Sequence, residues 1–226
     1  MAFGMLMVLS STVSYSGVLT GADIFGKDPG VGIELDADYD CRENMPEGST
    51  VEITEGAAYD ITGGGYGVGM GYPQDQCHFA YTEMHGDFDV VTQMLNLENV
   101  SNYTGYDSTN SCYTHAGIMV RESLDPGSRR LAFFMLPECE RSIAQYHYSN
   151  LEYRYVPYAA AGSMPGQMRW ISDGIWRNPA FGNQTPFVDY PNVWLRLKRT
   201  NNVIRAYASK DGSNWAQVRK RLWYYD

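Results

Sequence analysis

The stretch 86–136 constrains this chain more than any other. It reads GDFDVVTQM at 86–94, AGIMVRES at 116–123, the turn LDPGS, and RRLAFFML at 129–136. Each apolar run is short, is bounded by turn residues and alternates in side-chain character, which is the signature of half-buried antiparallel strands. In the first run Phe88, Val90, Thr92 and Met94 share one face, and Asp87, Asp89 and Gln93 share the other. In the second, Ile118 and Val120 oppose Met119 and Arg121. In the third, Leu131, Phe133 and Met135 alternate with Arg130, Ala132, Phe134 and Leu136, so this strand is expected to be covered on both faces. A strand covered twice needs a second layer, which implies a sheet packed on a sheet.

The rest of the chain agrees with an all-β fold. No amphipathic run of three helical turns occurs in its 226 residues, while Tyr (18) and Gly (23) are abundant, one favouring strands and the other their turns. All-β sandwiches of this length are commonly single domains. The net charge of −9, from 17 basic and 26 acidic residues, argues against a nucleic-acid partner, whose phosphates require a basic face. It also disfavours an anionic membrane surface, and its simplest use is solubility.

Cysteine usage points to an oxidising compartment. Cys41, Cys77, Cys112 and Cys139 form no C-x-x-C pair, so they read as two disulfides rather than a zinc site. If Arg121 faces Arg130 across the LDPG turn, the same register sets Cys112 opposite Cys139 and leaves Cys41 for Cys77. Each bridge would contribute roughly 3 kcal/mol; the alternative is four buried free thiols. Three N-glycosylation triplets start at Asn99, Asn102 and Asn183, the last weakened by the Pro186 that follows it. The first two lie back to back in a polar stretch between strands. Together these features give an extracellular protein.

The apolar run that opens 1–17 (MAFGMLMVLSSTVSYSG) lacks the basic residues of a signal peptide and is too short to span a bilayer. It has three readings: a strand of the domain's own sheet, a strand or anchor given to another subunit, or a retained leader. Residues 18–226 form one domain. The acidic run IELDADYDCRE offers Asp36, Asp38 and Asp40 as oxygen ligands for Ca²⁺. Its E-L-D-A-D core, starting at Glu34, also resembles the paired carboxylates of retaining β-glucanases, with an Asp where the acid Glu would stand. A solvated acidic edge is the third reading. The Gly-rich run TGGGYGVGMGYPQD at 62–75 is no phosphate loop, because the Lys-Ser/Thr pair and a following helix are missing.

Residues 143–155 alternate like a hairpin with Ser149 and Asn150 near its turn, and a long loop insertion covers about 156–192. Trp170 and Trp176 in that loop, with Tyr146 and Tyr148 before it, are the carbohydrate-binding candidates; equally they pack under the loop or against a neighbouring subunit. NVWLRLKRT, the turn Asn201-Asn202 and VIRAYASKDGSNW form a hairpin with a second tight turn at Asp211-Gly212. Trp215 is expected to fold back beneath that turn, and 218–225 to make a last strand.

Several blocks, in order, carry a resemblance to a known family: ADIF with PGVG at 22–32, DITGGG at 60–65, CHFAYTEMHGDFDVVTQM at 77–94, AGIMVRESLDPGSRRLAFFM at 116–135 and VWLRLKRTNNVIRAYASKDGSNW at 193–215. They resemble the concanavalin A-like (laminin-G-like) jelly-roll modules of secreted bacterial proteins, which are often appended to glycoside hydrolases or cell-surface proteins. The resemblance implies a β-sandwich of two antiparallel sheets, no catalytic residues and, commonly, carbohydrate binding. Tyr66-Gly67-Val68 departs from the family pattern, as do the added length at 99–112 and the loop at 156–192.

No nucleophile motif is present, and none of the four histidines has metal-ligand spacing. The expectation is therefore a non-enzymatic extracellular structural or adhesive protein. It is glycosylated, assembles with copies of itself into a filament or surface layer, binds glycans or polysaccharide, and needs no cofactor beyond an optional Ca²⁺. It does not insert in a membrane. The alternatives are a carbohydrate-binding module of a secreted polysaccharide-degrading system and, remotely, a β-glucanase-like hydrolase.

Overall fold

A computed structural model of the chain describes residues 2–8, 19–25, 48–64, 73–95, 116–135, 149–159, 162–163, 193–217 and 223–224. All the regular structure among them is strand: β1 (Ala2–Val8), β2 (Thr20–Phe25), β3 (Ser49–Thr54), β4 (Ala58–Gly64), β5 (Gln76–Tyr81), β6 (Phe88–Met94) and β7 (Ala116–Arg121). The second half adds β8 (Arg130–Met135), β9 (Ser149–Arg154), β10 (Gly162–Ser163), β11 (Val193–Thr200), β12 (Val203–Ser209), β13 (Ala216–Gln217) and β14 (Trp223–Tyr224). They form an eight-stranded sheet in the order β13-β12-β11-β6-β1-β4-β3 with β14 beside β12, a four-stranded sheet β10-β9-β8-β7, and the pair β2-β5. Every pairing is antiparallel.

The alternation in the sequence places the core. In β11 Val193, Leu195 and Leu197 are buried while Trp194, Arg196 and Lys198 are partly exposed. Met94 of β6 and Ile204, Ala206 and Ala208 of β12 extend the same inner face. Ala116, Ile118, Leu131 and Phe133 of the four-stranded sheet join them in one hydrophobic cluster, with Phe88, Val90, Leu151 and Tyr153 packed at its margin. The large sheet and the four-stranded sheet thus share one core. β8 is covered on both faces, as its composition requires: Arg130, Leu131, Ala132, Phe133 and Phe134 are all buried.

The central hairpin keeps the expected register, with Arg121 opposite Arg130 and Ala116 opposite Met135. The Asn201-Asn202 turn joins β11 to β12 with Thr200 opposite Val203, and Asn201 takes a φ of 54°. Segment 2–8 pairs along its length with β4, and with β6 where Val8 faces Gln93.

One local expectation changes. Ser149 and Asn150 do not turn a hairpin; they begin β9, where they pair with Met135 and Phe134 of β8. Continuing extended lets Leu151 and Tyr153 reach the shared core, which a turn at that point would have prevented. At the C-terminus β13 and β14 both pair with β12; of the strand expected over 218–225 only Trp223 and Tyr224 lie among the described residues, and they are strand.

Candidate functional site

The sequence-predicted site residues fall almost entirely outside the described residues. That holds for Trp170, Trp176, Tyr146 and Tyr148, for Asp36, Asp38 and Asp40, for Asn99, Asn102 and Asn183, and for Cys41, Cys112 and Cys139. Cys77 is described and carries a free thiol on β5. Burial pushes that thiol up to about 12, against the opposing influence of the Arg121 guanidinium, so it stays protonated and unreactive at neutral pH. Among the described residues no group of three His, Cys, Asp or Glu side chains could hold a metal, and no helix is long and apolar enough to cross a membrane.

Three side-chain constellations do come together. The first is buried. Registers across the four-stranded sheet set Arg121, Arg130 and Arg154 side by side in one row. Asp75, fully buried just ahead of β5, inserts its carboxylate among them. Its Oδ1 accepts from Arg130 Nε and Arg154 Nη2, both at 2.8 Å, and its Oδ2 from Arg154 Nη1 at 3.0 Å and Arg121 Nη1 at 3.3 Å. Arg154 also donates to the carbonyls of Pro126, Ser128 and Ala159. Buried charges persist only when paired and hydrogen-bonded in this way. The cluster is a structural tie between the 73–76 segment and three strands.

The second runs from Asp23 of β2 through His78 of β5 to Thr50 of β3. Asp23 Oδ1 lies 2.7 Å from His78 Nδ1, and His78 Nε2 lies 2.8 Å from Thr50 Oγ1. A carboxylate only accepts, so Nδ1 donates to Asp23. The connectivity is that of a nucleophile–base–acid relay, but its surroundings are those of a clasp. The His78 side chain is only 5% exposed. Gly21 and Gly48 press their backbones so closely on the relay that a Cβ at either would collide with the imidazole and with Thr50 or Asp23. Gly48 N–H also donates to both Asp23 oxygens at 3.2 Å. No space remains beside Thr50 Oγ1 on the Gly21 side for a reacting carbonyl. The relay fastens the β2-β5 pair to β3 of the large sheet.

The third lies on the outer face of the large sheet, where Lys198 is 42% exposed. Alternation along β11 and β12 turns Trp194, Arg196, Lys198, Arg205 and Tyr207 outward, away from the core. Register sets Arg196 opposite Tyr207 on one side and Val91 on the other, and Lys198 between Arg205 and Asp89. Arg196 grips Asp89 with two parallel bonds, Nε to Oδ1 at 2.6 Å and Nη2 to Oδ2 at 2.5 Å; Lys198 Nζ lies 3.0 Å from the same carboxylate. The guanidinium lies over the rings of Tyr207 and Trp215, 5.7 and 5.2 Å from their centroids.

The turn before Trp215 is held by Asp211. Its carboxylate accepts from the backbone of Ser213 and Asn214, from the Asn214 amide and from the Ser209 hydroxyl. Those bonds, chiefly the ones from Asn214, hold its pKa well below the usual carboxylate range. Gly212 rests on the Trp194 indole, so the turn, Trp194 and Trp215 form one unit.

The Arg196 bonds likewise lower the Asp89 pKa, and Asp89 raises that of Arg196. A depressed carboxylate pKa means that the pair's contribution is complete above the unfolded value and is lost only as pH falls through the folded one. Mild acidification therefore leaves this pair in place. The result is a rigid outward array of aromatic rings, planar cation and carboxylate, suited to stacking on a ring and hydrogen-bonding hydroxyls at its edge.

Sequence reasoning missed this array. The signal was available in the outward alternation of Trp194, Arg196 and Lys198, but Asp89 and Trp215 join them only through sheet pairing and a turn. Comparison with known proteins finds no family model, no curated protein and no solved structure that matches this chain.

Proposed function

We propose that this chain is a non-catalytic, extracellular adhesive protein with a concanavalin A-like jelly-roll fold, and that it binds glycan on the outer face of the β11-β12 region. The shared core between two antiparallel sheets and the non-sequential strand order support the jelly roll. The observation that carries the glycan reading is the Arg196 guanidinium held between Asp89, Tyr207 and Trp215, beside Trp194. Sugar rings offer an apolar face for such rings and hydroxyls for the charged pair.

Glycan-array retention followed by affinity measurement tests this. Trp215→Ala is expected to weaken binding about tenfold, the worth of one well-placed aromatic contact, while Trp170→Ala leaves it intact. Loss in Trp170→Ala with full binding by Trp215→Ala would move the site to the long loop and sink this assignment.

Self-association is a second reading, favoured by β3. It is the edge of the large sheet, and Val51 and Ile53 are 51% and 63% exposed on it. An open strand edge with apolar side chains is a template for pairing with another chain. Ile53→Lys is expected to lower the assembled fraction in light scattering without changing the circular dichroism spectrum. An unchanged mass distribution would remove β3 from the interface.

A further inference from the structure

We infer that the glycan bound on this face is acidic, bearing carboxylate or sulfate groups; this rests on the glycan reading above and narrows it. The chain as a whole carries a net charge of −9, so it repels polyanions generally, and attraction to one requires a local site. The outer face of β11 and β12 supplies it. Arg196, Lys198 and Arg205 gather there around one carboxylate, Asp89. Asp89 is already occupied by the two-pronged grip of Arg196 and by the Lys198 ammonium. Asp87, just ahead of β6, accepts the backbone N–H of Asn201 at 2.6 Å. Arg205 makes no ion pair among the described residues, yet it stands directly across from Lys198.

Like charges directly opposite each other on neighbouring strands destabilise a sheet, and an anion held between them relieves that repulsion. The same molecule shows what completes such a row. Across β7, β8 and β9, Arg121, Arg130 and Arg154 are also direct cross-strand neighbours, and the carboxylate of Asp75 sits among them. On the outer face Asp89 reaches Lys198 from one side, and among the described residues no carboxylate pairs with Arg205 on the other. A uronate carboxylate or a sulfate ester has the charge and the two or more oxygens to bridge an ammonium and a guanidinium.

The aromatic rings lie one repeat along the strands. Tyr207 and Arg205 are two residues apart on β12, roughly 7 Å, a spacing comparable to one pyranose unit. A sugar ring seated against the Arg196–Tyr207–Trp215 cluster therefore brings the acidic group of its neighbour to Lys198 and Arg205.

Calorimetry with the whole chain tests this, using oligogalacturonate and a sulfated oligogalactan, each against the neutral oligogalactan of equal length. Both acidic ligands are expected to bind at least tenfold more tightly than the neutral one, and raising the salt should erode that margin. The double variant Lys198→Gln/Arg205→Gln should remove the margin, bringing both acidic ligands to the affinity of the neutral one, with the circular dichroism spectrum unchanged. Equal affinity for acidic and neutral ligands, or an unaltered margin in the double variant, overturns the inference and leaves the glycan reading standing. No binding of any glycan by the folded protein overturns both. Binding to anionic lipid vesicles in place of acidic glycan overturns them as well.

Discussion

Replacing Asp75 with Asn should destabilise the protein by about 3–5 kcal/mol, the usual cost of breaking a buried ion pair from one side. Asparagine keeps the shape of the side chain but removes the charge that compensates Arg130, Arg154 and Arg121. Arg130 and Arg154 are fully buried, so neither can escape to water. Glu152 Oε2 stands 3.8 Å from Arg130 Nη2, which is too long for a strong bond. For a domain of this size the loss corresponds to a fall in Tm of roughly 6–20 °C. Thermal unfolding followed by circular dichroism measures it. The double variant Asp75→Asn/Arg130→Met should recover part of the loss, because it removes one of the uncompensated charges along with its partner. A drop below about 1 kcal/mol in the single variant would mean that water reaches the cluster and that it does not hold the three strands to the 73–76 segment.

Phe133→Ala should cost a similar amount, about 3–5 kcal/mol in denaturant unfolding, for a different reason. Phe133 is 0% exposed and belongs to the cluster in which Ile118 and Leu131 of one sheet meet Met94, Leu195 and Leu197 of the other. Truncation leaves a cavity between two sheets whose backbones are fixed by their own ladders and cannot collapse into it. Val51→Ala, at an exposed site on β3, should stay within about 0.5 kcal/mol and so serves as the reference. If the two variants unfolded at the same denaturant concentration, the two sheets would not share a core through Phe133.

The strands were legible wherever side-chain character alternated. Faces could be assigned in β6, β7, β8 and β11 because consecutive side chains of a strand point to opposite sides, a local property that needs no knowledge of the partner. The Arg121–Arg130 register was legible for a related reason: a short turn leaves few ways to pair the residues on either side of it. Ser149 and Asn150 misled because their turn propensity is also local, and it was overridden by pairing with β8 and by the burial of Leu151 and Tyr153.

The sites were not legible to the same degree. The opposition of Arg121 and Arg130 was visible as a register, yet the row they begin is bridged by a residue 46, 55 and 79 positions from its three partners. Asp89 and Arg196 are 107 residues apart, and Asp23 and His78 are 55 apart. No periodicity links groups so separated.

By itself the sequence determined the all-β class, the inward and outward faces of its central strands, and the turns of its two clearest hairpins. These follow from the two-residue repeat of extended backbone and from turn chemistry, both short-range. Only the tertiary structure decided which charges meet. It made Asp75 the buried centre of an arginine row and joined Asp23, His78 and Thr50 from three strands. It also brought Asp89, Arg196, Tyr207 and Trp215 to one open face. The physical reason is that electrostatic partnership depends on distance in space and on exclusion of water, and both are properties of the path the chain takes between strands.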